Sequence, residues 1–314
     1  MRRAEHVSRR LKLRHLNVLL AVAQSGSMAK AAKQLAISQP VVSKAIVELE
    51  NTLGVRLLDR SQRGVEPTLY GRALIKRSVT ILNDLRTSVD ELEFLSDPTA
   101  GELRIGSSEA VASGMLGAII DRLSRRHPRV RFEATLGGGL TDLQYRELQA
   151  HNIDLIIGRL PRATPEDVET TILYQDQFFF VAGMQNEWVR RRKIAAAELL
   201  GEPWCLPSLD VFPWSLIADA FHSRGLALPD TIVTARSVLL QNSLLATGRF
   251  LGILPRTVLH FCAKSHQLKI LSVDLPIQSY PVGIVTLKNR TLRPVAQVFI
   301  DSAIEVAKPF ARHN

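Results

Sequence analysis

The chain reads as an α/β protein in three parts. A small helical head with a β-hairpin comes first, one long connecting helix follows, and a two-lobed body of alternating strands and helices completes it. Three observations predict this. Apolar residues at helical spacing, punctuated by cap signals, fill residues 11–54. An apolar repeat at threes and fours, with no internal proline, runs from Thr68 to about Leu95. From residue 102 onward, short apolar runs ended by Gly, Ser or Pro alternate with helical patterns. A length of 314 residues favours two or three domains.

In the head, Leu11, Leu13, Leu16, Leu19, Leu20 and Val22 place a first helix at residues 12–24, and Ser25-Gly26 ends it. Ser27 is a good N-cap for a second helix, which keeps Ala31, Ala32 and Leu35 on one face. The small alanines permit close helix–helix approach. Ile37-Ser38-Gln39 is a turn. Ser38 is the expected N-cap of a third helix, and Pro40 suits its first turn, where no intrahelical N–H bond is lost. Val42, Ala45, Ile46, Leu49 and Leu53 form the buried stripe of that helix, with Gly54 as its C-cap. Gln39, Ser43 and Lys44 are left facing outward near its N-terminus. Gln can read an adenine edge, Ser a base or phosphate, and Lys a guanine or phosphate. The helix N-terminus itself favours phosphate. The plainer alternative is that Gln39 and Ser43 only cap a solvated face. Residues 55–68 then alternate and turn at Arg63-Gly64, a hairpin carrying Arg60 and Arg63 at its tip. Such a wing reaches phosphates or the minor groove.

Charge concentrates in the same place. Residues 1–72 hold 13 Lys and Arg against 5 acids, and the remaining 242 hold 27 against 25, so the head carries +8 of the net +10. A basic head on a nearly neutral body suggests a polyanion-binding module fused to something else.

These residues resemble a known family. The order Leu13-Arg14-His15-Leu16, Gly26-Ser27-Met28-Ala29-Lys30-Ala31-Ala32, Leu35-Ala36-Ile37-Ser38-Gln39-Pro40-Val41-Val42-Ser43-Lys44, Leu53-Gly54-Val55-Arg56-Leu57-Leu58-Asp59-Arg60 and Arg63-Gly64-Val65-Glu66-Pro67-Thr68 is similar to the winged helix-turn-helix of LysR-type transcriptional regulators. The likeness runs almost without gaps over residues 11–72. By matched position it implies Ser38, Gln39, Pro40, Ser43 and Lys44 at a DNA groove, with Arg60 and Arg63 on the backbone or in the minor groove. Leu58 stands where an aromatic is usual and Tyr70 where a small residue is usual; both read as packing changes.

The connector repeats Leu74, Ile75, Val79, Leu82, Leu85, Val89, Leu92 and Leu95, and the run Ser96-Asp97-Pro98-Thr99-Ala100-Gly101 breaks it. A long helix outside a compact domain must bury its seam, either on a copy in a second chain or on its own domain. The resemblance implies the first, a linker helix that pairs two heads in a homodimer or homotetramer.

In the body, strands are expected at 102–107, 130–136 and 153–158, with helices at 111–126 and 141–150 between them. This rhythm predicts a largely parallel sheet. Ligands of such sheets collect at the carboxyl ends of strands, here Ser107-Ser108, Gly137-Gly138 and Arg159. Ser107 and Ser108 sit before a helix N-terminus that favours an anion, although each serine could equally serve as a cap. Arg159 could instead pair with Asp176. A second lobe starts near Gln177 and includes the Pro207-Ser208 loop. A strand at 280–286 and a final helix at about 293–308 return to the first lobe, with crossings near 172–176 and 270–274. The arrangement resembles the effector-binding domain of the same regulators, which is like a periplasmic binding protein. The resemblance implies a small-molecule effector touching Ser107, Ser108, Gly137, Gly138, Arg159, Pro207 and Ser208, and Arg159 with the helix N-terminus favours an organic anion such as a carboxylate. It also implies a cytoplasmic protein that uses no cofactor, binds double-stranded DNA and contacts RNA polymerase. The expected domains are 1–68, 69–96 and 97–314, with lobe one at about 97–172 and 273–314 and lobe two at about 173–272.

Other classes fit poorly. No apolar run is long enough to span a bilayer, and no apolar segment with a cleavage site follows the Arg-rich start, so no signal peptide is expected. Cys205 and Cys262 lie far apart and suggest a reduced compartment. Cys262 and His266 stand four apart, but two ligands do not make a zinc site. Ser107 and Ser108 follow a strand, yet their flanks are Ile105-Gly106 and Glu109, not Gly-x-Ser-x-Gly. With no phosphate loop, no His-Glu-x-x-His and no paired carboxylates, an enzyme is not expected. A transport binding protein shares the body's rhythm but would not carry the basic head. The more serious rival is a nucleoid-type DNA binder without a ligand.

Overall fold

The computed structural model describes residues 10–61, 64–137, 142–161, 163–208, 212–229, 231–262, 267–288 and 290–311. Arg63, Gly138 and His266 lie outside the described residues. The chain divides into two units, residues 1–89 and 90–314.

In the first unit, α1 (Leu13–Ser25), α2 (Met28–Gln34) and α3 (Gln39–Leu53) pack around one core. Val18, Leu19 and Val22 of α1 meet Ala31 and Ala32 of α2 and Val42, Ile46 and Leu49 of α3. Gly26 and Gly54 end α1 and α3 at φ 64° and 72°, left-handed backbone that glycine adopts without a Cβ penalty. Ser27 caps α2 by accepting a hydrogen bond from the Lys30 N–H. The hairpin of β1 (Leu58–Ser61) and β2 (Gly64–Pro67) pairs antiparallel, Ser61 opposite Gly64. Two contacts fix it: Val65 N–H donates to the Gly26 carbonyl, and the Glu50 carboxylate accepts from the Leu57 and Leu58 N–H groups. Leu58 is buried in the core, so the aliphatic side chain there is a packing choice. Helix α4 spans Leu69–Ser96. Gly71 in its first turn lies so close to the Leu57 carbonyl that an added Cβ would come within 2.0 Å of it.

The second unit holds two five-stranded sheets. Lobe one contains β3 (Ala100–Ser108), α5 (Glu109–Ala112), α6 (Met115–Arg126), β4 (Arg129–Gly137), α7 (Asp142–Gln149), β5 (Leu155–Arg159) and β6 (Val168–Asp176). Lobe two contains β7 (Phe178–Gly183), β8 (Trp204–Leu206), α8 (Trp214–Ser223), β9 (Thr231–Thr234), α9 (Val238–Ala246), β10 (Leu251–Pro255), α10 (Arg256–Cys262) and β11 (Leu268–Ile270). Strand β12 (Tyr280–Leu287) and helix α11 (Pro294–Ala311) return to lobe one.

The sheets are mixed, not largely parallel. In lobe one the order is β4-β3-β5-β12-β6: the first three strands are parallel, and β12 runs antiparallel to both β5 and β6. Lobe two repeats the plan as β9-β8-β10-β7-β11, with β7 antiparallel to β10 and β11. In each lobe the fourth strand arrives by crossing from the other lobe, which reverses its direction. Strand β6 was not expected from the sequence, and it carries lobe one to Asp176. The first crossing is therefore the step from Asp176 to Phe178, and the second lies between Ile270 and Tyr280. The helix expected at 111–126 is broken at Ser113-Gly114, where the Phe261 ring leaves no room for a Cβ (2.5 Å). One apolar core joins the two lobes, from Leu103 and Ile105 of β3 to Trp204 and Phe221 of lobe two.

Candidate functional site

The outward face of α3 is built by the core behind it. Because Val42, Ala45, Ile46 and Leu49 are buried, the opposite stripe must face water. Ser38, Gln39, Pro40 and Lys44 are exposed and Ser43 is half-buried. Ser38 holds the N-cap position, but its hydroxyl makes no capping bond. Lys44 is 79% exposed and only loosely tethered, its Nζ 3.9 Å from Glu48 Oε1. The other Glu48 oxygen lies 3.4 Å from Nε2 of the buried His15. Arg60 is exposed on β1, as is Val47 one turn beyond Ser43 on the same stripe. Sequence reasoning passed over Val47; its absence from the buried stripe was the available signal.

In the second unit, a cleft of about 400 Å3 opens between the two sheets at their strand ends. Four of the expected residues line it: Ser108, Gly137, Arg159 and Pro207. Ser107 does not. Strand β3 runs one residue further than expected, so Ser107 stays inside the sheet, fully buried. Its hydroxyl donates to the Ser108 carbonyl (3.2 Å), and its own carbonyl accepts from Gln144 Nε2 (3.1 Å). Ser108 caps α5, accepting from the Val111 N–H at 3.4 Å. Ser208, half-buried, is not among the lining residues.

Aromatic rings form much of one wall. Phe178 stacks on Tyr280 at 4.9 Å, and Phe212 meets Tyr280 edge-on at 5.1 Å. The Arg159 guanidinium lies 3.7 Å from the centroid of the Phe212 ring. This contact bridges the lobes, since Arg159 ends β5 and Phe212 follows β8. Burial pushes Arg159 below its usual range, with Tyr280 opposing, and its buried Nε has no hydrogen-bond partner. Arg159 does not pair with Asp176. That carboxylate is taken by Thr257, whose Oγ1 donates at 2.5 Å and whose N–H donates at 3.3 Å, and by the Gln177 N–H at 2.9 Å. Burial nevertheless raises Asp176 above the usual carboxylate range. A second bridge between lobes runs from the Ser237 hydroxyl to Glu109 Oε1 at 2.8 Å.

The fold is that of known regulators, and both units match one family. Residues 13–72 match the profile described as a bacterial regulatory helix-turn-helix protein of the lysR family, and residues 96–308 match the LysR substrate binding domain. The chain belongs to the LysR family. It is a LysR-type DNA-binding transcription regulator with an effector-binding body. The HTH-type transcriptional regulator GbpR of Azospirillum brasilense is 28% identical over 290 residues, 92% of this chain and 84% of that one. The regulator TdcA of Escherichia coli K12 is 26% identical over 308 residues, 96% and 94% of the two chains. Among solved structures, full-length OxyR from Pseudomonas aeruginosa superposes with a TM-score of 0.66 at 20% identity, covering 97% of this chain and 99% of that one. Full-length CbnR complexed with its target DNA gives 0.52 at 23% identity, covering 95% and 100%. These two likenesses are of fold.

The cleft residues of this LysR-type regulator that sequence reasoning missed include Asp176, Phe178, Phe212, Thr257 and Tyr280. Their common signal is position at a crossing or in the opposite lobe. The run Tyr280-Pro281, which opens the returning strand, could have marked one of them.

Proposed function

We propose that this regulator reads duplex DNA with the N-terminal turn of α3, using Gln39, Pro40, Ser43 and Lys44, while Ser38 and the wing arginines Arg60 and Arg63 hold the phosphates. The observation that carries the reading is the exposed polar stripe of α3, backed by a rigid core, in the part of the chain with nearly all the net charge. Val47 extends the stripe and offers an apolar contact to a thymine methyl. Replacing Ser43 or Lys44 with Ala removes a base contact and should cost about 1–3 kcal/mol of specific binding. The test is fluorescence anisotropy on a selected site and on bulk DNA of equal length. If both variants keep the wild-type ratio of the two affinities, α3 is not the reader.

The body is proposed to be the switch. An organic anion enters the cleft and touches Ser108, Gly137 and Arg159 from lobe one and Pro207 from lobe two. Such a ligand changes DNA occupancy only through its differential affinity for two arrangements of the lobes. A second copy of the chain covers α4: Leu85, Val89, Leu92 and Leu95 are exposed at coiled-coil spacing, at 46, 46, 66 and 72%. The assembly then has an even number of chains, works in the cytoplasm without catalysis of its own, and meets RNA polymerase at the promoter. No helix among the described residues is long and apolar enough to cross a membrane.

A further inference from the structure

We propose that the cleft is built for a single carboxylate on a flat, apolar body, an aromatic monocarboxylic acid, and that Arg159 over Phe212 is its head-group receptor. The inference rests on the reading of the cleft as the effector site.

Charge sets the first constraint on the ligand. Among the described residues, two cations and two carboxylates line the cleft: Arg159, Arg236, Glu109 and Asp176. Asp176 is engaged by Thr257 and the Gln177 N–H, and Glu109 by Ser237. Arg236 is exposed at the rim and has partners of its own. Arg159 is left half-buried with an orphan Nε and no acceptor among the described residues. A buried N–H without a partner is costly, and a guanidinium presents a planar fork that matches one carboxylate. The Phe212 ring fixes the plane of that fork before ligand arrives. One unmatched cation calls for one anion.

A second negative charge has no place to go. Asp176 is buried in the same wall, and burial already disfavours its own ionised form. A dicarboxylate would bring another charge against it. A sugar fits no better, because most of the remaining lining is apolar, including Val111, Val238, Ile253, Pro255 and Val282. Hydroxyl groups there would lose water without gaining partners. The stacked wall of Phe178 and Tyr280 instead suits a ring. A volume of about 400 Å3 lies toward the small end of ligand pockets, enough for one or two rings with a short acid arm.

The test is calorimetric titration of the full-length protein with benzoate, phenylacetate and indole-3-acetate. Their uncharged amides, the dianions phthalate and adipate, and galactose are titrated alongside. At least one aromatic monocarboxylate should bind, and its amide should bind at least about tenfold more weakly, a difference of about 1.4 kcal/mol. The acid-over-amide preference on wild-type protein needs no variant. Arg159→Gln should abolish that preference, and Arg159→Lys should restore part of it. Binding of acid and amide with equal affinity overturns the proposal. So does tighter binding of a dicarboxylate or galactose than of every monocarboxylate, or no binding of the three acids at about 10 mM, weaker than any useful affinity. A dicarboxylate or sugar that binds and shifts operator affinity would leave the cleft as effector site and remove only its proposed chemistry. A probe that shifts operator affinity but ignores both Arg159→Gln and the cleft-filling Val238→Trp would remove the effector site as well.

Discussion

Asp154→Asn should be among the most destabilising single changes in the body. Asp154 is 3% exposed and faces three guanidiniums, the half-buried Arg104 (Nη2 at 3.1 Å) and the more deeply buried Arg293 (Nε at 3.5 Å) and Arg290 (Nη2 at 3.6 Å). Its Oδ2 also accepts the Arg104 backbone N–H at 2.9 Å. The cluster ties the middle of β3 to the start of β5, so it holds in register the two strands that carry Ser108 and Arg159 at their far ends. Asparagine keeps an oxygen for the Arg104 N–H but removes the charge. Breaking a buried pair by deleting one partner costs about 3–5 kcal/mol. The surviving hydrogen bond and the Asp90 carboxylate, 3.0 Å from Arg293, place this case near about 3 kcal/mol. The tryptophans Trp188, Trp204 and Trp214 all lie in the body, so their emission reports its unfolding. In urea, with a slope near about 3 kcal/mol/M, the midpoint should fall by about 1 M. Asp90→Asn, at a partly exposed side chain, should cost only about 1 kcal/mol. An Asp154→Asn midpoint within about 0.2 M of wild type would refute the argument that this cluster holds the strands.

Two further outcomes follow from the geometry. Leu85→Glu combined with Leu92→Glu places charges on the exposed seam of α4 and should convert the oligomer to monomers in sedimentation, with loss of tight DNA binding; a wild-type chain that is already monomeric at micromolar concentration contradicts this. Burial raises the folded-state pKa of Asp176, so the folded chain holds a proton that the unfolded chain has released. Stability should therefore fall as pH rises from the ordinary carboxylate range through the raised folded value. Asp176→Asn removes that slope, so the stability difference between the two proteins should move in the variant's favour with rising pH. A difference that stays constant across that window contradicts the assignment.

The head was legible in the sequence almost residue by residue because its signals are local. Ser27, Pro40, Gly26 and Gly54 each act within a turn of their own position, and the buried stripes repeat at helical spacing. The body was legible where the rule is also local: Ser108, Gly137, Arg159 and Pro207 stand at strand ends and line the cleft. What escaped depends on distant partners. Strand β6 forms by pairing with β12, more than a hundred residues later, and the same pairing makes the sheet mixed. Phe261 breaks the helix at Gly114 from the other lobe. The Arg159 contact with Phe212 and the capture of Asp176 by Thr257 both join lobes, so no spacing in the sequence announces them.

The most direct test of the account is selection of binding sites from a pool of random duplex DNA by the full-length protein. Two copies of α3 held by a paired linker should enrich an inverted repeat, its half-sites about one helical turn or a multiple of it apart. The Ser43→Ala, Lys44→Ala double variant should lose that enrichment while still retaining bulk DNA through the wing and its phosphate contacts. Enrichment of no sequence, or of the same repeat by wild type and double variant alike, would contradict the claim that α3 is the reading element of a paired regulator.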